Sequence, residues 1–142
     1  MKLKIKKLLS SAFTPTYGTE GAACFDLYAD QAAFVLPGHA VSINTNLAFE
    51  VPNGWVMKLY SRSGHGFKHG VRLANTTGII DSDYRGHVPV RLHNDSPLAF
   101  TVNRGDRIAQ AMLMPVFRVE FEEADTLSDT ARGEGGFGHT GS

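Results

Sequence analysis

The chain has 142 residues, enough for one domain with a real hydrophobic core, and 42% of them are apolar and 20% charged. Lys plus Arg number 14 and Asp plus Glu number 14, so the chain is neutral and carries no electrostatic footprint for duplex nucleic acid. No apolar run approaches a bilayer-spanning length, the start Met1 to Lys7 lacks the apolar stretch of a signal peptide, and the single Cys24 can form no internal disulfide. These features predict a cytoplasmic protein, in a bacterium or in a host cell if the source is viral.

In chain order, Lys2 to Leu8 alternates apolar and lysine side chains and reads as a first strand. Thr14 to Gly21 is a loop by its Pro, Gly and Thr content. Cys24 to Tyr28 is strand-like, with Asp26 set between large apolar neighbours. Leu36-Pro37-Gly38-His39 is a turn. Ala40 to Val51 alternates, and Pro52-Asn53-Gly54 predicts a hairpin whose returning strand is Trp55 to Tyr60. Ser61 to Gly70 is basic and glycine-rich and predicts a single helical turn. Val71 to Asn75 and Val88 to Leu92 alternate on either side of Gly78 to Gly86, which predicts a central hairpin.

Asn94-Asp95-Ser96-Pro97 and Asn103-Arg104-Gly105-Asp106 are turns with Leu98 to Val102 between them. Arg107 to Met114 becomes wholly apolar and predicts a buried strand; Val116 to Phe121 alternates again. Pro89 and Pro115 lie in strand-like runs, which predicts edges or bulges there. No long amphipathic helix and no internal repeat is present. Many short strands with regular turns predict an all-β sandwich, jelly roll or closed barrel. From about Thr126 the character changes, and Arg132 to Ser142 holds five glycines in eleven residues. Such a tail buries no core, and ordering it costs about 1–2 kcal/mol per residue. Only a ligand or a partner offsets that.

The chemistry-bearing residues gather in three places. Gly78-Ile79-Ile80-Asp81-Ser82-Asp83-Tyr84-Arg85-Gly86 joins an apolar wall, a flat ring and two carboxylates. Both aspartates suit turn chemistry. Asp81, next to the isoleucine pair, also suits general-base work, whereas Asp83 reads as the turn former. Arg62-Ser63-Gly64 offers a guanidinium, a hydroxyl and bare backbone, the makings of an anion site if a helical turn begins there; an ordinary loop is the alternative. In the tail, Gly133 to Thr140 comes close to a phosphate-binding loop but has His139 where Lys belongs and no helix to follow it. Its glycines and Arg132 still suit phosphate, and Phe137 suits stacking on a flat group. His65 and His69 have metal-ligand spacing without a third ligand nearby. Gln110 faces either solvent or a site. Cys24 reads as a small core residue.

Together these segments resemble the trimeric dUTPase family. The matching motifs are Ala23-Cys24-Phe25-Asp26-Leu27, Ser61-Arg62-Ser63-Gly64, the Gly78 to Gly86 segment, Arg104-Gly105-Asp106-Arg107-Ile108-Ala109-Gln110, and Arg132-Gly133-Glu134-Gly135-Gly136-Phe137-Gly138, in family order across nearly the whole chain. Cys24 stands where the family usually has Gly, and Ser61 where it often has Pro. The resemblance implies a jelly-roll-like β-barrel or sandwich over residues 1–125, with a short helical turn and a flexible arm over 126–142 that closes an active site. It implies a homotrimer, with each site drawn from several chains, and hydrolysis of dUTP to dUMP and diphosphate with Mg²⁺ on the triphosphate.

In that reading Asp81 is the general base. Asn75 and residues 79 to 81 on one arm and Pro89 on the other read uracil, Gly78 also binds substrate, and Tyr84 packs on the deoxyribose. Arg62, Ser63, Gly64 and Gln110 hold phosphates. Arg132, Phe137 and Gly138 close over the nucleotide, and Asp26 supports the metal–phosphate region through Arg62 or water, with no side chain ligating the metal directly. Two rivals share the fold: a dCTP deaminase, and a non-catalytic trimer that binds a regulatory protein. The first would want another acidic residue and arginines near Arg62, where His65, Gly66 and Phe67 stand. The intact Asp81 segment speaks against the second as sole role.

Overall fold

The computed structural model describes residues 1–137. Its strands are β1 (Lys4–Lys7), β2 (Thr16–Tyr17), β3 (Phe25–Tyr28), β4 (Ala33–Val35), β5 (Ala40–Ile43), β6 (Leu47–Glu50), β7 (Trp55–Tyr60), β8 (Val71–Leu73), β9 (Thr77–Ile80), β10 (Val90–Asn94), β11 (Phe100–Val102) and β12 (Arg107–Pro115). The one helix among the described residues is α1 (Ser63–His69), closed by Gly70 in the left-handed conformation. It is nearly two turns long and buries none of its residues. No described helix is long and apolar enough to cross a membrane.

Four antiparallel sheets pack into a jelly-roll-like sandwich, and none closes into a barrel. The largest runs β2-β3-β12-β7-β9 and faces the β5-β10-β8 sheet; β1-β6 and β11-β4 complete the layers. β12 sits at the centre, paired with β3 on one side and β7 on the other. Burial is confined to its first half: Ile108, Ala109 and Ala111 are buried, whereas Met112 and Leu113 are half-buried and Met114 is exposed, so the apolar run is not a wholly buried strand. Leu27, Ile43, Leu47, Met57, Leu73, Leu92 and Ile108 are fully buried between the layers. Truncating any one of these to Ala costs about 2–5 kcal/mol.

Several expected pairings are not made. The Pro52-Asn53-Gly54 turn forms, with Gly54 at φ 78° and the Trp55 N–H on the Pro52 carbonyl at 3.1 Å. Its arms do not pair with each other: β6 pairs with β1, and both edges of β7 are taken by β12 and β9. A tight turn specifies a reversal, not the partner. Ala40 to Val51 is two strands in different sheets, divided at Asn46, whose φ is 52°.

The central hairpin is realised only at its base. β8 pairs with β10, and one further rung joins the Ala74 N–H to the Arg91 carbonyl at 2.8 Å. The chain then turns through Thr76 at φ 59°, and β9 leaves to pair with β7. Pro89 has no N–H with which to extend the ladder. The two arms therefore splay between two sheets. Pro89 and Pro115 mark strand ends rather than edges: β10 and β12 are both central strands, and the one register shift of β12 lies at Arg107–Ala109. Val116 to Phe121 forms no strand. Its Phe117 is 88% and Phe121 91% exposed, and no strand among the described residues pairs with it.

Candidate active site

The splayed arms enclose a cleft of about 760 Å³. Asn75, Gly78, Ile79, Ile80, Asp81 and Tyr84 line one side; Val88, Pro89, Val90 and Arg91 line the other. Seven predicted site residues are thus gathered in one place, and the departure of β9 from β10 makes the space. Gly78 is buried opposite Leu59, and a Cβ there would stand 3.0 Å from the Leu59 Cβ. Its lack of a side chain keeps β9 flat against β7.

Asp81 is exposed at the cleft mouth. It opens a turn closed by the Tyr84 N–H on its carbonyl at 3.2 Å, and Asp83 lies inside that turn. The Arg85 guanidinium donates to the Ser82 carbonyl at 2.7 Å and stiffens the turn. The Tyr84 hydroxyl donates to the His87 carbonyl at 2.9 Å, which lays the ring along the cleft wall. A Cβ at Gly86 would collide with that ring. Gly86 is therefore required by Tyr84, not by the turn alone.

A second cluster forms where β3, β12 and the start of α1 meet. Asp26 is buried, and its carboxylate takes the Arg62 Nε at 3.1 Å and the Arg107 Nη1 at 3.5 Å. The Arg62 Nη1 also donates to the Arg107 carbonyl at 3.4 Å. Gln110 faces Asp26 across the ladder and donates to the Ser61 carbonyl at 3.1 Å. The Ser61 hydroxyl in turn accepts from the Leu73 N–H at 2.8 Å, tying the loop before α1 to β8. Arg62 caps α1, and Ser63 and Gly64 are exposed beside it. Two arginines on one buried carboxylate, with a hydroxyl and bare backbone beside them, make a surface suited to anions.

The two groups are far apart within the chain. Ile80 is level with Met57 on β7, and Arg62 lies beyond the other end of that strand. At about 3.3 Å per residue the gap between Asp81 and Arg62 is roughly 20 Å. Asp81 and Arg62 of one chain therefore stand well apart. The tail bridges nothing here either. Arg132 donates to the Gly135 carbonyl at 2.7 Å within its own loop, Phe137 is fully exposed, and Gly138, with His139 and Thr140, lies outside the described residues.

Three contributors were not singled out from the sequence. Arg107 stands in a quoted motif, but only the Asp26 contact shows its part. His87 accepts a hydrogen bond from Asn46, and Asp30 anchors Ser11, Asn46 and Arg104 with its side chain 1% exposed. Hydrogen bonds from Asn46 and Ser11 hold the Asp30 carboxyl below its ordinary pKa, aided by Arg104 and opposed by burial. Arg104 also stacks over Phe13 at 4.7 Å, so the Arg104-Gly105-Asp106 turn is structural. His65 and His69 both pack their rings on Phe100, and among the described residues no three His, Cys, Asp or Glu side chains converge on a metal position. Burial, then Asp26, pushes the Cys24 thiol up, away from thiolate chemistry.

A family model described as dUTPase matches residues 10–141. The deoxyuridine 5′-triphosphate nucleotidohydrolase of Nautilia profundicola is 50% identical over 141 residues, covering 99% of each chain. That of Hydrogenobaculum sp. is 43% identical over 142 residues, again covering 99% of each. Among solved structures, a Staphylococcus bacteriophage 80alpha dUTPase mutant with dUpNHpp superimposes with a TM-score of 0.91 at 25% identity, covering 99% of both chains. With motifs in order, a jelly-roll-like sandwich and a splayed-strand cleft, the chain belongs to the dUTPase family.

Proposed function

We propose that this chain hydrolyses dUTP to dUMP and diphosphate at a site assembled from several subunits of a homotrimer. The reaction class, a dUTP diphosphatase, follows from the family and its curated relatives. The observation that carries the shared site is the roughly 20 Å between Asp81 and Arg62 along the sheet, too far for one nucleotide to be held and attacked by one chain. Uracil and sugar enter the cleft of one subunit, and the phosphates lie on the arginine cluster of another.

Within the cleft, backbone groups of Gly78 to Asp81 and of Pro89 meet the uracil edge, with Asn75 beside them. Cytosine exchanges donor and acceptor there and leaves buried groups unpaired. Tyr84 lies against the deoxyribose and leaves no room for a 2′-hydroxyl. Asp81 accepts a proton from water and aims it at the α-phosphorus, in line with the departing diphosphate. Arg62, Ser63, Gly64 and Gln110 hold the phosphate oxygens, and Asp26 keeps Arg62 in place. Residues 126–142 form the arm: Arg132 reaches the γ-phosphate, Phe137 stacks on uracil and Gly138 lets the backbone approach.

The residues present fit a divalent ion that travels with its nucleotide. Asp26, the carboxylate beside the arginine cluster, is already engaged by two arginines and would support such an ion only indirectly. Mg²⁺, when bound with the triphosphate, supplies charge neutralisation at its oxygens.

The test is Asp81→Asn. Turnover of dUTP falls by about 10²–10⁴-fold while nucleotide binding is retained. Measured as diphosphate release against dCTP, dTTP and UTP, with and without Mg²⁺, the parent acts on dUTP alone. Hydrolysis retained in Asp81→Asn, or ammonia released from dCTP, overturns the reading.

A further inference from the structure

Tyr84 is held from behind the cleft as well as within it. Its hydroxyl donates to the His87 carbonyl at 2.9 Å. The same peptide unit offers the Val88 N–H to the Leu47 carbonyl, also at 2.9 Å. That peptide is thus clamped between the ring of Tyr84 and the start of β6. The His87 imidazole supplies a third point, since its Nε2 accepts from the Asn46 N–H at 3.2 Å.

Asn46 is itself immobilised. Its φ of 52° is a conformation that Asn tolerates, and its amide donates to Asp30 Oδ2 at 2.8 Å. Asp30 is held in turn by Ser11 at 2.7 Å and by the Arg104 Nε at 3.0 Å. A line of contacts therefore runs from Arg104 through Asp30, Asn46 and His87 to the tyrosine.

A backbone N–H can only donate, so His87 Nε2 must accept, and the ring is neutral with its proton on Nδ1. An imidazolium would set two donors against each other at 3.2 Å. Burial pushes the His87 pKa below its ordinary value, which keeps the accepting form at neutral pH. Asp81, Tyr84 and Arg91 share the cleft lining with His87, Asp30 lies behind Asn46, and Lys6 pairs with Ala48, the β6 residue that bridges to His87.

We propose that His87 is a positioning residue for sugar discrimination: by accepting from Asn46 it sets the peptide that holds Tyr84, and so the distance at which the ring meets the sugar. This rests on the reading of Tyr84 as the wall against a 2′-hydroxyl. The role is separable from folding because Gln can place Oε1 where His places Nε2 and cannot titrate.

The experiment measures kcat/KM for dUTP over that for UTP. In His87→Leu the ratio falls about five- to tenfold, mainly through KM, as expected for loss of one positioning hydrogen bond. In His87→Gln it returns to within about twofold of the parent. The parent ratio declines as pH drops below the ordinary imidazole range, and the His87→Gln ratio does not. An unchanged ratio in His87→Leu, a Gln variant no better than Leu, or the same acid decline in His87→Gln overturns the proposal. Tyr84→Ala separates the two layers. Parental discrimination in that variant overturns the reading of Tyr84 itself, whereas its loss there with full retention in His87→Leu overturns only the role of His87.

Discussion

At the residue scale, two small features carry large consequences. Gly86 leaves room for the Tyr84 ring, and a methyl group there meets the ring head-on. Gly86→Ala therefore shifts Tyr84 by about an ångström, and displacements of that size cost up to about 10²-fold in rate. Steady-state kinetics on dUTP should show a loss of that order, with the fold intact by circular dichroism. Asp30 carries the second. Its pKa is lowered in the folded chain, so the unfolded chain binds the proton more readily. Its stabilisation is fully present above the ordinary carboxylate pKa and is lost as pH falls through the folded value. Acid unfolding followed by fluorescence should be shallower for Asp30→Asn than for the parent, because the variant has no proton to take up there. The sequence marked Asp81, Tyr84 and Arg62 by residue type and neighbours. It did not mark Asp30 or His87, because nothing local distinguishes a buried hydrogen-bonding side chain from an exposed one.

At the scale of elements, the described tail stands free of the cleft. Arg132 bonds within its own loop, and Phe137 touches nothing that buries it. Under the proposed role of the arm, removing residues 132–142 should leave the oligomer and its melting temperature nearly unchanged while lowering dUTP turnover about 100-fold or more, through lost water exclusion and lost phosphate contacts. Parental activity in the truncated protein means that the arm is no lid. Phe137→Trp should report dUpNHpp through a fluorescence change as the indole stacks. Strand positions were legible in part: β1, β3, β7 and β12 fall where alternation or an apolar run places them, whereas β2 lies in a stretch that reads as loop. Pairing was less so. The arms of the central hairpin, β8 and β10, do pair, but β9 leaves that hairpin for β7, and the arms of the Pro52 turn, β6 and β7, go to different sheets. Turn chemistry acts over four residues, whereas partner choice depends on which edges the rest of the chain has already filled.

At the scale of the molecule, the separation of Asp81 from Arg62 predicts complementation. Asp81→Asn and Arg62→Ala subunits, each inactive alone, can be co-expressed with different tags and purified as hybrids. If each site takes its base and its arginine from different chains, about a quarter of the sites in a random mixture hold both intact residues, and activity returns to that level. If one chain supplies both, no site is whole and the hybrids stay inactive. Sedimentation should show a trimer. The exposed Phe117 and Phe121, on an alternating segment without a partner strand among the described residues, are the kind of surface that another subunit covers.

The sequence by itself determined the class of fold, the three chemical clusters and the family, because alternation, turn residues and motif order are local properties that survive without coordinates. Only the tertiary structure decided that β9 parts from β10 to open the cleft, that Arg107 joins Arg62 on Asp26, and that Asp81 and Arg62 lie toward opposite ends of one sheet. Those facts depend on which strands share hydrogen bonds. Such a choice is made among residues distant in the chain, by competition for edges and for burial, and no short stretch of sequence encodes it.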